Sequence, residues 1–139
     1  MIRTHGSFSG ANLNGHGTIR LIKTHFGDKI VKLVQETSCE KVEGIIGCCH
    51  SGYFTDYFDL EDIPAYLLAS CDGSEVADGD SFGDKYWGYF SQYFWLHVAQ
   101  GYTCHQAFNL IIILEEIPQT PTPQTPEVYY PPNYYTFFN

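Results

Sequence analysis

The spacing of apolar positions divides the chain into short extended runs separated by helical stretches. Residues 17–23 (GTIRLIK) alternate apolar and polar side chains, the period of a strand with one buried face. Residues 1–4 (MIRT) read as the end of another strand, and the segment between them, GSFSGANLNGHG, as a loop rich in glycine, serine and asparagine. Ile30, Val31, Leu33 and Val34 make an apolar stripe, so residues 28–36 are expected to be helical, with Asp28 near the positive end of the dipole. Two unbroken apolar runs, residues 44–49 (GIIGCC) and 65–70 (AYLLAS), fit fully buried strands of a parallel sheet, with a loop between them. Residues 72–84 form an acidic, glycine-rich loop. Residues 85–100 read as an aromatic helix closed by Gly101, with Tyr86, Phe90, Tyr93 or Phe94, and His97 on one face as core. Thr103 opens a second helix that runs to residue 116. Strands alternating with helices predict an α/β domain over residues 1–116 with a mostly parallel sheet.

The pattern then changes. PQTPTPQTP, residues 118–126, is a proline-spaced linker, extended and stiff. VYYPPNYYTFFN follows, and six of its twelve residues are Tyr or Phe. So aromatic a tail is expected to dock on its own domain or on a neighbouring copy, which makes residues 117–139 a separate docked segment.

Composition narrows the function. The 139 residues suit one domain with a modest core. Seven basic against sixteen acidic side chains give a net charge of −9, which argues against a nucleic-acid surface and against an anionic membrane face. The longest apolar run, residues 110–114, is too short to span a bilayer. Five cysteines, an odd number, with no signal-peptide pattern at the start, lead to the expectation of free thiols in a reducing, cytoplasmic setting.

The chemistry concentrates at GIIGCCHSGYF, residues 44–54. A cysteine nucleophile needs a nearby base, exposure at the edge of a rigid element and backbone N–H groups for the oxyanion. Open α/β sheets bind ligands at the carboxyl ends of their strands. Cys49 ends an apolar run there, and His50, Ser51 and Gly52 turn the chain away. His5 follows an apolar stub and precedes a glycine, so it is a candidate base on a neighbouring strand; His16, in NGHG, is another.

The ordered set of a strand-ending His-Gly, then Cys-His-Ser-Gly, then ASCDGSEVAD at 69–78 resembles the caspase-like cysteine peptidases, metacaspases in particular. FSQYFWLHVAQGYTCHQAF, residues 90–108, resembles the helix pair of that fold. The likeness covers residues 1–115 in patches. It implies a three-layer α/β sandwich, Cys49 as nucleophile, His5 (second choice His16) as base, and an oxyanion site from the backbone N–H groups of Gly6 and Cys49. It also implies a peptide or protein substrate, with Asp72 and Cys71 lining the pocket for a Lys or Arg side chain. Two departures stand out. The family's acidic residue two before the nucleophile is Gly47 here, and the family's first strands are missing before His5. A copy of this chain or a partner chain is therefore expected to complete the sheet. The rival reading is a non-catalytic, self-assembling protein that keeps the shell of this fold.

Plainer roles fall to the remaining residues. Cys48 alternates with Cys49 and should point inward; Cys39 and Cys104 read as structural. His50 should turn outward, and His25, His97 and His105 read as structural histidines. Cys48, Cys49, His50, Cys71, Cys104 and His105 hold enough donors for zinc, but no C-x-x-C or H-x-x-x-H pair occurs, so no cofactor is expected. DGDSFGD, residues 78–84, has Asp78 and Asp80 at the first and third places of a calcium loop, and Asp84 beyond them, but Tyr89 stands where an EF-hand has its glutamate. The family resemblance leaves a weaker calcium site at Asp78, Asp80 and Asp84 open; the alternative is a solvated acidic loop.

Overall fold

The computed structural model describes residues 3–7, 10–15, 17–37, 42–82, 85–119 and 123–131; among the strand and helix residues 3–23, 80–82 and 85–87, only the backbone is described. The chain is mixed α/β. β1 (Arg3–Ser7), β2 (Gly10–Gly15) and β3 (Gly17–Ile22) form an antiparallel meander in which Gly10 stands opposite Ile22 and Gly15 opposite Gly17. The segment that composition marks as a loop thus contains a strand. Its glycines and asparagines pair with both neighbouring strands, which a propensity count discounts.

α1 (Lys23–Thr37) leads into β4 (Glu43–Ile46), then α2 (Gly52–Leu60) and β5 (Tyr66–Ala69). β4 and β5 are parallel, with Glu43 opposite Tyr66 and Ile46 opposite Ala69. The third strand, β8 (Glu127–Tyr129), lies antiparallel on the far side of β5 and sets Val128 opposite Leu68. The sheet order is β4–β5–β8, so the expected mostly parallel sheet is a small mixed one. The segment after the linker reads as a tail in the sequence; Glu127, Val128 and Tyr129 become a strand because β5 offers an unpaired backbone edge. Residues 132–139 lie outside the described residues.

Side chains of β5 divide the core. Leu67 joins Ile30 of α1, Phe54 and Phe58 of α2, Ile46, Cys48, Ile63, Ala65 and Tyr129 on one face. Tyr66 and Leu68 point the other way, into Phe90, Phe94, Ala107, Phe108, Ile111 and Ile117. That alternation is why AYLLAS reads as continuously apolar: both faces are covered. The result is a layer of α1 and α2, a sheet, and a layer of α3 (Tyr89–Ala99) and α4 (Cys104–Ile113).

Three element boundaries differ from the sequence expectation. α1 begins at Lys23 rather than at residue 28. α2 occupies a stretch read as loop; its Phe54 and Phe58, four apart, are fully buried, and a nine-residue helix with one such pair is a weak periodic signal. The aromatic run starting at Lys85 opens as a strand, β7 (Lys85–Gly88), paired with β6 (Gly79–Phe82) in a hairpin, and turns helical only at Tyr89. α4 is capped as its sequence suggests: the Thr103 hydroxyl accepts from the Gln106 backbone N–H at 3.2 Å, and the Gln106 side chain accepts from the Thr103 N–H at 3.0 Å. Among the described residues no helix is long and apolar enough to cross a membrane.

Candidate functional site at the ends of β4 and β5

β4 stops at Ile46 and α2 starts at Gly52, so the five residues between make the turn that carries Cys49. Cys48 is buried, as alternation requires, and Cys49 is partly exposed. The Cys49 thiol lies 3.8 Å from the Ala77 carbonyl, to which it donates. His50 takes φ 58°, in the left-handed region where histidine is among the few tolerated side chains. Its backbone N–H donates to the Glu75 carbonyl at 2.9 Å, and its Nδ1 lies 3.0 Å from the Gly73 carbonyl, with the ring stacked beside Tyr53. The imidazole next to Cys49 in sequence, expected to turn outward, is held instead against the neighbouring loop.

Beneath the turn lies a buried polar knot. The Ser51 hydroxyl, fully buried, accepts from the Cys71 backbone N–H at 3.2 Å and lies within 3.3 Å of the Ser70 hydroxyl and of the Cys71 carbonyl. Ser70 donates its hydroxyl to the Cys48 carbonyl at 3.2 Å, and the Cys71 thiol sits 3.4 Å from the same carbonyl. The two strand ends are cross-linked by side chains where the parallel ladder runs out. Burial pushes the Cys71 thiol up, with the hydrogen bonds from Ser51 opposing it. Cys71, two residues beyond the end of β5, is fully buried, whereas the sequence resemblance places it on the wall of a substrate pocket.

Asp72 lies at the surface and caps its own turn: its Oδ1 accepts from the Ser74 N–H at 2.7 Å and the Ser74 hydroxyl at 2.6 Å. Those bonds hold its carboxyl below the usual carboxylate range. Glu127 of β8 is pushed the other way, first by burial and then by Asp72, while the Thr55 hydroxyl, 2.8 Å from its Oε2, opposes the shift. The two carboxyls act on each other, and their shifts run in opposite directions. Gly52 is required where this pair meets the start of α2: a Cβ there would collide with the Glu127 carboxyl and the Gly73 backbone N–H. At Gly47, where the family resemblance implies an acidic residue, a Cβ would lie 2.8 Å from the Ser91 hydroxyl of α3. A side chain there would need the Ser91 hydroxyl to rotate away.

The structure does not bring every expected residue to Cys49. His5 and Gly6 lie in β1, opposite Asn12 and Ala11, in a sheet other than the one that ends at Cys49. The expected adjacent-strand pairing of His5 with Cys49 is absent from the sheet, where the described neighbour of β4 is β5. The His5 side chain and all of His16 lie outside the described residues, as does Cys39. His97 is structural: its Nε2 lies 2.7 Å from Glu116 Oε2, and its Nδ1 is buried with no hydrogen-bond partner. His105 Nδ1 lies 3.3 Å from the Tyr66 hydroxyl. Burial, then Glu43, pushes the Cys104 thiol up to about 11. Asp78 accepts from the Gly79 N–H at 2.8 Å, and the hairpin of β6 and β7 takes up the segment read as a calcium loop. The side chain of Asp80 and all of Asp84 lie outside the described residues; among those described, no cluster of three or more His, Cys, Asp or Glu is placed to hold a metal.

Sequence reasoning missed Ser51, Ser70, Glu75, Gln124 and Glu127. Gln124 is the least legible. Its side chain is fully buried, accepting from the Asp78 N–H at 2.8 Å and donating to the Ser70 carbonyl at 2.9 Å, yet it sits in a proline-spaced polar stretch that reads as solvated linker. No family model, curated protein or solved structure matches the chain.

Proposed function

We propose that this is a thiol-dependent acyl-transfer domain, a cysteine peptidase of caspase-like type, with Cys49 as its nucleophile. One observation carries the reading: Cys49 stands partly exposed on a tight strand–turn–helix corner, beyond the carboxyl end of a parallel strand, with a left-handed residue directly after it. The start of α2 adds the positive end of a helix dipole to the turn. By resemblance, His5, or failing it His16, takes the thiol proton. The sulfur attacks the carbonyl carbon of a peptide, the C–N bond breaks, and the amine leaves with the proton. Water then hydrolyses the thioester and regenerates the thiol. The N–H groups of Gly6 and Cys49 would hold the oxyanion, and Asp72 would receive a Lys or Arg side chain. An electrophilic Lys/Arg peptide probe tests this. Cys49→Ala abolishes labelling and Cys48→Ala leaves it intact, while His5→Ala or His16→Ala identifies the base by loss of labelling at neutral pH. Equal labelling of the two cysteine variants ends the assignment.

A second reading, a self-assembling protein without catalysis, is favoured by the apolar side chains that α3 and α4 leave exposed, Trp95, Leu96, Ile112, Ile113 and Leu114. In that reading a second copy covers them. Sedimentation of Ile113→Lys against the parent chain separates it from the first: a shift from oligomer to monomer with probe labelling absent in both supports assembly alone.

A further inference from the structure

The segment after α4 looks like a spacer in sequence and acts as a fastening in the structure. Prolines at 118, 121, 123 and 126 remove backbone donors and fix φ, so this stretch has few main-chain hydrogen bonds to offer a sheet. Its glutamines and threonine supply them instead. Gln119 Nε2 donates to the Gln124 carbonyl at 3.1 Å, and the Gln124 N–H donates back to Gln119 Oε1 at 3.3 Å, pinching the base of the linker shut. From that base the Gln124 side chain plunges into the interior and bridges Ser70, at the end of β5, to Asp78. One residue on, Thr125 donates its N–H and, at 2.9 Å, its hydroxyl to the Glu75 carboxylate, which also accepts from the Asp72 N–H at 3.2 Å.

Every anchor falls on the loop of residues 70–78, and that loop is what Cys49 and His50 touch. Glu75 gives its carbonyl to the His50 N–H, Gly73 its carbonyl to the His50 ring, and Ala77 its carbonyl to the Cys49 thiol. Ala77 is the immediate neighbour of the residue that Gln124 holds. We propose that the 123–127 segment is a latch: through Gln124, with Thr125 in support, it fixes the 70–78 loop over Cys49 and so sets the access and reactivity of that sulfur. Gln124 is a positioning residue; it acts on Cys49 through Asp78 and Ala77. Whatever pulls on or cleaves the linker would thereby be felt at the turn. The latch holds whether or not Cys49 cleaves peptides, since what it governs is the exposure of a thiol.

Alkylation of the full chain by iodoacetamide, read cysteine by cysteine by mass spectrometry, tests it. Gln124→Met keeps the side-chain volume and removes both bridges, and it should raise the alkylation rate of Cys49 about tenfold or more, because two buried backbone groups then gain by meeting water when the loop opens. Thr125→Val, which leaves Gln124 in place, should raise it by a smaller factor and guards against the Met variant failing to fold. Cys104, away from the loop, is the internal reference and keeps its rate. A Cys49 rate within twofold of the parent in the folded Gln124→Met chain, or in Thr125→Val if only that variant folds, overturns the latch. So does an equal rise at Cys48, buried in the core outside the loop, which would report general loosening. Failure of the peptide probe at Cys49, with the alkylation pattern as described, would count against the peptidase reading and leave the latch standing.

Discussion

α1 and α2 cover one face of the central sheet with Ile30, Phe54 and Phe58; α3 and α4 cover the other with Phe90, Phe94, Phe108 and Ile111. Inward, the two layers are alike. Outward they differ. The first shows solvent Lys29, Lys32, Gln35, Glu36, Asp56, Asp59 and Glu61, including a Lys32–Glu36 pair at 3.6 Å, with Leu33 and Leu60 as scattered exceptions. The second shows Trp95, Leu96, Ile112, Ile113 and Leu114. A helix that needs only one covered face carries an amphipathic pattern, and one apolar nearly all round is suited to burial on two sides. The first layer is finished as a polar surface, and the second leaves large apolar side chains exposed.

Core truncations should break the inward likeness most strongly. Phe58→Ala and Phe94→Ala each remove a fully buried ring, and each should lower unfolding free energy by about 3–5 kcal/mol in denaturant titrations. A large gap between the two would show that one layer relaxes more readily than the other. Next in size, Gly52→Ala drives a methyl group into Gly73 and Glu127, where the first layer meets the sheet, and should cost about 1–3 kcal/mol. Thr103→Ala removes the capping box of α4 and should cost about 1 kcal/mol in the second layer. Ile113→Lys, at 73% exposure, should change stability by less than about 0.5 kcal/mol while altering self-association, and that sharpens the outward contrast.

A last and smallest effect depends on pH. Glu127 has a raised pKa from burial, so whatever stability its carboxyl supplies is present below the ordinary carboxylate range and fades as pH rises through the raised value. Glu127→Gln should therefore raise the melting temperature relative to the parent at pH 7, and the difference should shrink toward pH 4. An unchanged difference across that range would show that burial of the carboxyl is not what shifts it.

Much of this contrast was legible beforehand. β3, β5 and α4 follow from period, from an unbroken apolar run and from Thr103 with Gln106 three residues on. Of the face read as helical, Phe90, Phe94 and His97 are buried together on α3, while Tyr86 lies in β7 instead. Other parts depended on tertiary partners. Four of the six residues of β2 are glycine or asparagine, and only pairing with β1 and β3 makes it a strand. α2 has too few turns to announce itself. β8 exists because β5 has an edge to fill. At the site, the placement of Cys49 at the end of a buried strand came from pattern. The Ser51 knot and the Gln124 bridge did not, because a hydroxyl and an amide show their worth only once two strand ends stand a few ångströms apart.

The strand that completes the sheet has a consequence for the making of the molecule. Leu68 waits for Val128, far along the chain, and until that part of the polypeptide has left the ribosome the central strand has one flank bare. Contacts so distant in sequence form late. Premature termination before residue 127 would leave a sticky ribbon in the middle of the fold rather than a slightly shorter protein.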